Sequence, residues 1–224
     1  MKYGSVIFDM DGVILNSLVE NEDWKFNAVK QALEQEDIDT EKLTRTEMEK
    51  FLGDHGRKNC IHICEKYGID PGRAWELIAE TTSLARIQQT KNGDFRLYED
   101  ARAFLQALHP RNPGTAVISN APESAVETTM KFFNLKKYFN FYRGVENFKD
   151  LKLRKPHPDH LEIAEAELKR KPSLYIGDAE SDIRAAKNAG MDSAWVKRKK
   201  FDSETSATYE VENLRELGKK LELF

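Results

Sequence analysis

The chain has 224 residues, 40% hydrophobic and 33% charged, with a formal net charge of −3 from 35 basic and 38 acidic side chains. That length suits one large domain, or one domain carrying a smaller insert. The balance excludes a disordered chain and offers no broad basic field for nucleic acid. No apolar run is long enough to span a membrane, and no signal peptide is recognisable. Two cysteines make no disulfide framework, so a reducing, cytoplasmic setting is expected.

In chain order, Val6-Ile7-Phe8 reads as a buried strand that ends in Asp9-Met10-Asp11-Gly12. Residues 20–87 are helical in character, with breaks at Gly53-Asp54-His55-Gly56 and around Gly68. At the second break Asp70 reads as an N-cap and Pro71 as the first helical residue. Cys60, His62 and Cys64 fall between the breaks. On a helix the two cysteines share a face while His62 points about 200° away. A fourth ligand is also missing, so buried thiols are expected rather than zinc.

After Leu97 the pattern alternates. Helices are predicted over 99–108, 122–133, 157–168, 180–189 and 214–221, and strands over 115–119, 142–145, 173–177 and 193–196. Strands separated by helices of this length predict βαβ units and a parallel sheet. The expected fold is α/β, with a doubly wound, Rossmann-like core built from residues 1–15 and 89–224. The helical stretch 16–88 is inserted after the first strand. The run Lys197-Arg198-Lys199-Lys200 reads as a solvated loop.

In open parallel sheets, ligands sit beyond the carboxyl ends of the strands. Four polar clusters are expected there: Asp9 with Asp11, Ser119-Asn120, Lys155-Pro156, and the run from Gly177-Asp178 to Asp182. Each alone has a plain structural reading. Asp9 or Asp11 could cap a turn, and Ser119 a helix. Lys155 could be a surface residue in a basic stretch with Lys149, Lys152 and Arg154. Asp178 could be an N-cap, with Asp182 on the solvent face. Convergence of all four at one edge is what structure alone does not explain.

In order and spacing these residues resemble the haloacid dehalogenase superfamily. Phe8-Asp9-Met10-Asp11-Gly12-Val13 resembles its first motif and Ile118-Ser119-Asn120 its second. Arg154-Lys155-Pro156-His157-Pro158-Asp159 is similar to the third, and Gly177-Asp178 through Asp182 to the fourth. A single D-x-D has many false positives; four motifs in order do not. The insert resembles the α-helical cap of the subgroup with phosphoglycolate phosphatases and β-phosphoglucomutases. The resemblance implies Mg²⁺, held by the Asp9 side chain, the Asp11 carbonyl and Asp178, with Asp182 orienting a metal-bound water or Lys155.

The chemistry agrees with the residue types. A carboxylate nucleophile, Asp9, divides hydrolysis of a phosphate ester into two easier steps. Asp11 would protonate the leaving alcohol and then deprotonate water. Lys155 adds positive charge, and Ser119 and Asn120 would hold phosphate oxygens.

Asp11 also separates this chain from haloacid dehalogenases, whose halide leaving group needs no proton. Asn21 stands where β-phosphoglucomutases carry a histidine. Lys25 and Lys30 lack the setting of a phosphonatase Schiff-base lysine. Asn16-Ser17 stands where Asp-Ser or Asp-Thr is usual, at the hinge. Arg57 and His55 fall in the cap loop expected to read the substrate. The expected function is a Mg²⁺-dependent phosphatase acting on a small phosphate ester, with phosphoglycolate or a sugar phosphate as first guesses. Neither nucleic acid nor membrane is expected as a partner, and the chain is expected to be a monomer or homodimer. A phosphomutase, or a binding protein on an inactive fold, are the alternatives.

Overall fold

The computed structural model describes residues 2–17, 23–36, 38–52, 56–198 and 206–224. A six-stranded sheet forms its centre. β1 (Ser5–Phe8) lies between β4 (Gly114–Pro122) and β6 (Ser173–Gly177). β5 (Phe141–Val145) flanks β4, and β7 (Asp192–Val196) and β8 (Tyr209–Val211) continue beyond β6. Every pairing in this sheet is parallel. The chain therefore leaves β1 to build one half of the sheet and later returns to build the other. That reversal opens a crevice at the carboxyl end of β1.

The sheet is covered on both faces, as the run of apolar residues in β1 requires. Val6 and Phe8 point to one face and pack with α5 (Glu99–Leu108), α6 (Glu123–Phe132) and α9 (Leu214–Lys220). Ile7 points to the other and packs with α7 (Asp159–Leu168) and α8 (Glu180–Asn188). The doubly wound α/β expectation is met. β8 is the strand of this sheet that the sequence reading lacks, because three residues carry too short a pattern to register.

Between β1 and α5 the chain forms α1 (Asp23–Glu34), α2 (Arg45–Leu52), α3 (Gly56–Tyr67) and α4 (Pro71–Asn92). These helices enclose a separate apolar cluster around Trp75, Phe51 and Leu33. Asp70 accepts from the Arg73 N–H as the α4 N-cap, with Pro71 behind it, and Gly93 ends the helix in the left-handed region. Cys60 and Cys64 are buried in this cluster with their sulfurs 3.8 Å apart, while His62 faces solvent. The entry and exit of the helical segment are tied together by a small antiparallel pair, β2 (Leu15–Asn16) with β3 (Arg96–Leu97). Among the described residues no helix is long and apolar enough to cross a membrane.

Candidate active site

Asp9 follows the last residue of β1, and its N–H donates to the Ile176 carbonyl. The chain then turns at Gly12, whose φ of +78° favours glycine. A Cβ there would also collide with the Asp178 carboxylate, so the missing side chain lets motif one approach the end of β6. Gly177 is required for a similar reason, since a Cβ would collide with Asp182. Arg198 holds the turn from outside. It donates to the Gly12 carbonyl at 3.4 Å, grips both oxygens of Asp100 at 2.7 and 2.8 Å, and stacks on Tyr98. Arg198 is thus engaged rather than a free surface cation. Lys199 and Lys200 lie outside the described residues.

Lys155 is 2% exposed, with its Nζ 2.7 Å from Asp9 Oδ1 and 2.6 Å from Asp182 Oδ1. It also donates to the Tyr175 hydroxyl at 2.9 Å. Asp182 is 1% exposed, which removes the solvent-face reading. One of its oxygens takes Lys155 and Tyr175; the other accepts the N–H groups of Asp178 and Ala179. Burial opposes charge on Lys155, but Asp182 and Asp9 outweigh it and raise its pKa. The ammonium is fixed.

Burial, together with Asp182, Asp178 and Asp11, pushes the Asp9 carboxyl well above the usual range despite Lys155. More desolvation and like charge therefore fall on Asp9 than one lysine offsets. Asp9, Asp178 and Asp182 offer carboxylate oxygens within 4.8 Å of one another. A buried, all-oxygen, charge-rich donor set fits a hard divalent cation. Both Asp182 oxygens already accept hydrogen bonds, which suits it to orienting the site around such an ion. The Trp195 indole steadies the Asp178 backbone by donating to its carbonyl at 3.0 Å.

Asp11 faces a different partner. Its Oδ1 accepts from Arg86 Nη2 at 2.7 Å and from the Ser17 hydroxyl at 2.5 Å. Burial works against its charge, but Arg86, Ser17 and Lys25 prevail and lower its pKa. Arg86 belongs to α4, is 7% exposed, and lies against the Trp24 and Phe95 rings. The sequence reading did not find it. The signal was available: Trp75, Ile78, Thr82 and Arg86 recur at three and four residues, placing an arginine on the buried stripe of α4.

Ser119 and Asn120 sit where β4 breaks register with β5, between Ile118 and Pro122. Ser119 is buried, and its Oγ accepts the Ala121 N–H, which leaves the hydroxyl proton to donate. Asn120 differs from the expected phosphate contact. Its amide bonds the Lys155 backbone at both ends, accepting from N–H at 2.9 Å and donating to C=O at 3.1 Å. Tyr175, also absent from the sequence reading, sits 0% exposed inside β6 and faces the same lysine.

A cavity of about 240 Å³ opens at this point. Asp9, Asp11, Ser119 and Lys155 form its floor, and Trp24, Trp75, Thr82 and Arg86 come from the helical segment. Arg57 does not line it. Arg57 stacks over Phe148 at 5.5 Å and borders a neighbouring cavity. His55 lies outside the described residues, as does Asn21.

A crevice at the switch point of a parallel sheet, with the four motifs gathered there, defines a class of hydrolase. The family model described as haloacid dehalogenase-like hydrolase matches residues 6–196, and the chain belongs to that family. A pyrophosphatase, PpaX, of Anoxybacillus flavithermus is 28% identical over 212 residues, covering 94% of this chain and 91% of that protein. A phosphoglycolate phosphatase of Vibrio vulnificus is 26% identical over 191 residues, covering 83% and 79%. The crystal structure of a predicted phosphatase from Clostridium acetobutylicum superposes with a TM-score of 0.67 at 24% identity, covering 100% of both chains.

Proposed function

We propose that this chain is a Mg²⁺-dependent phosphatase that hydrolyses a small phosphorylated metabolite through an aspartyl-phosphate on Asp9. The observation that carries this reading is the pairing of two aspartates with different partners in one pocket. Asp9 meets Lys155 at the floor; Asp11, two residues on, meets Arg86 at the roof. One carboxylate is placed to attack and the other to move protons.

In the first step an Asp9 oxygen attacks phosphorus, and the leaving alkoxide takes a proton from Asp11. In the second, Asp11 removes a proton from the water that attacks the aspartyl-phosphate, and Asp9 is released. Arg86 and Ser17 hold Asp11 as a carboxylate, the form needed for the second step. The first step calls for a protonated Asp11, hence for Arg86 to loosen its hold. Lys155 and the Ser119 hydroxyl bind phosphate oxygens, and Asn120 sets the height of Lys155. The Asp9 and Asp178 carboxylates would hold Mg²⁺, with the Asp11 carbonyl as the ligand the family resemblance adds. When bound, it supplies charge neutralisation between nucleophile and phosphate.

Residues 16–88 serve as a cap that closes the pocket against water. Phosphoglycolate and sugar phosphates remain the first substrates to try, and the likeness to both a pyrophosphatase and a phosphoglycolate phosphatase supports phosphoryl hydrolysis. A reducing cytoplasm suits two free, buried thiols.

The test is phosphate release from p-nitrophenyl phosphate with Mg²⁺, comparing wild type with Asp9→Asn. Equal activity in the two proteins removes Asp9 from its role. Sugar isomerisation primed by a bisphosphate, without net phosphate release, would instead mark a mutase.

A further inference from the structure

Next to the Asp9 pocket lies a larger cavity of about 700 Å³. The two share Arg154, Ala179 and Ser181 as walls, so they are adjoining chambers of one cleft. The charge around the second chamber is one-sided. Arg57 and Lys58 enter from α3, Lys152 and Arg154 from the loop before α7, and Arg184 from α8. Glu180 is the carboxylate among its lining residues, 3.7 Å from Arg184. The His157 ring, also in the wall, is joined to Asp159.

Five cations thus face one acid, on a chain whose net charge is −3. Arg57, Lys58 and Lys152 have no ion-pair partner among the described residues. A solvated surface would scatter such charges or pair them, as the i,i+4 pairs elsewhere on this chain do. Here they come from three elements and converge on one space. Arg57 is further fixed in place by the Phe148 ring.

We infer that the substrate carries a second phosphate group. The reacting phosphate lies over Asp9, and the other occupies the basic chamber between Arg57, Lys152 and Arg184. This deepens the phosphatase reading and rests on it. A single carboxylate is satisfied by one arginine fork, whereas a phosphate dianion matches several cations at once. The joined volume also exceeds what a two-carbon substrate fills, and suits a sugar or nucleoside between the two phosphates. Because Arg57 and Lys58 belong to the helical segment while Lys152 and Arg184 belong to the sheet half, the second phosphate bridges the two. Binding it favours the closed arrangement and couples recognition of the substrate to enclosure of Asp9.

Binding to the Asp9→Asn protein in the presence of Mg²⁺ tests this without turnover. Fructose 6-phosphate and fructose 1,6-bisphosphate serve as matched probes in titration calorimetry. The bisphosphate should bind about tenfold tighter or better, and the gap should narrow at high salt. Adding Lys152→Ala and Arg184→Ala, both at exposed positions, should bring the two affinities to within about twofold. Arg57→Ala alone should close part of the gap. Equal binding of the two probes, no binding of either, or a preference that survives the double substitution overturns the inference. Failure of the phosphatase reading would show separately, as absent hydrolysis of p-nitrophenyl phosphate by wild type.

Discussion

The sheet half and the helical segment bring opposite kinds of order to the same cleft. On the sheet side, each polar group is held by several others. Asp182 alone accepts from Lys155, Tyr175 and two backbone N–H groups, and Asn120 clamps the Lys155 backbone at both ends. On the helical side, the long side chain of Arg86 makes an ionic contact to a motif aspartate. The first arrangement is fixed by strand ends that the hydrogen-bond ladder already positions. The second depends on how the helical segment packs on the sheet half. On the proposed mechanism, reactive geometry belongs to the rigid half and its timing to the adjustable one.

The sharpest break in this comparison is Asp9→Asn. Phosphatase activity should fall about a thousandfold or more while circular dichroism stays that of the wild type, since amide and acid are similar in shape. Chelation of divalent metal should stop hydrolysis and Mg²⁺ restore it. In Asp178→Asn, restoration should need far more Mg²⁺, measured as an activation curve.

Lys155→Met probes the rigid half as structure. It leaves Asp9 and Asp182 buried without their cation, so unfolding in urea should show a loss of about 3–5 kcal/mol, with activity lost as well. His160 separates packing from chemistry. It is 0% exposed, neither ring nitrogen has a partner among the described residues, and burial followed by the Arg143 charge lowers its pKa to about 4. Asp150, Asp159 and Lys155 also act on it, the two acids upward and the lysine downward. The unfolded chain binds this proton near pH 6.5, so it takes up more protons than the folded one below that value. Stability is full above about pH 6.5 and is lost as the pH falls towards 4. Relative to a His160→Phe variant, wild type should lose about 2 kcal/mol between pH 7 and pH 5.

The smallest effect expected is on the adjustable half. Arg86→Ala should lower kcat by about tenfold, as Asp11 loses its orientation, and Arg86→Lys should recover part of it. If Arg86→Ala proved as damaging as Asp9→Asn, the division between a reactive and a timing half would fail.

How far each half could be read from sequence follows the same line. Val6-Ile7-Phe8 is a buried strand in any parallel sheet, and the polar residues after it can only lie at the sheet edge, so Asp9 and Asp11 were legible together. The four motifs are short and contiguous because strand ends deliver neighbouring residues to one place. Tyr175 was hidden by looking like core, and Asn120 by a motif that suggested a phosphate contact. Arg86 was hidden because a helix residue 75 positions from Asp11 meets it through the fold alone.

Sequence by itself determined the βαβ alternation, the family and the residues at the floor of the cleft, since each depends on local pattern and on the period of strand and helix. Tertiary structure alone decided that Arg86 holds Asp11, that Asn120 supports Lys155, and that Arg57 borders a second, basic chamber rather than the first. Those pairings join distant stretches of chain whose approach is set by packing, and packing leaves no period in the sequence.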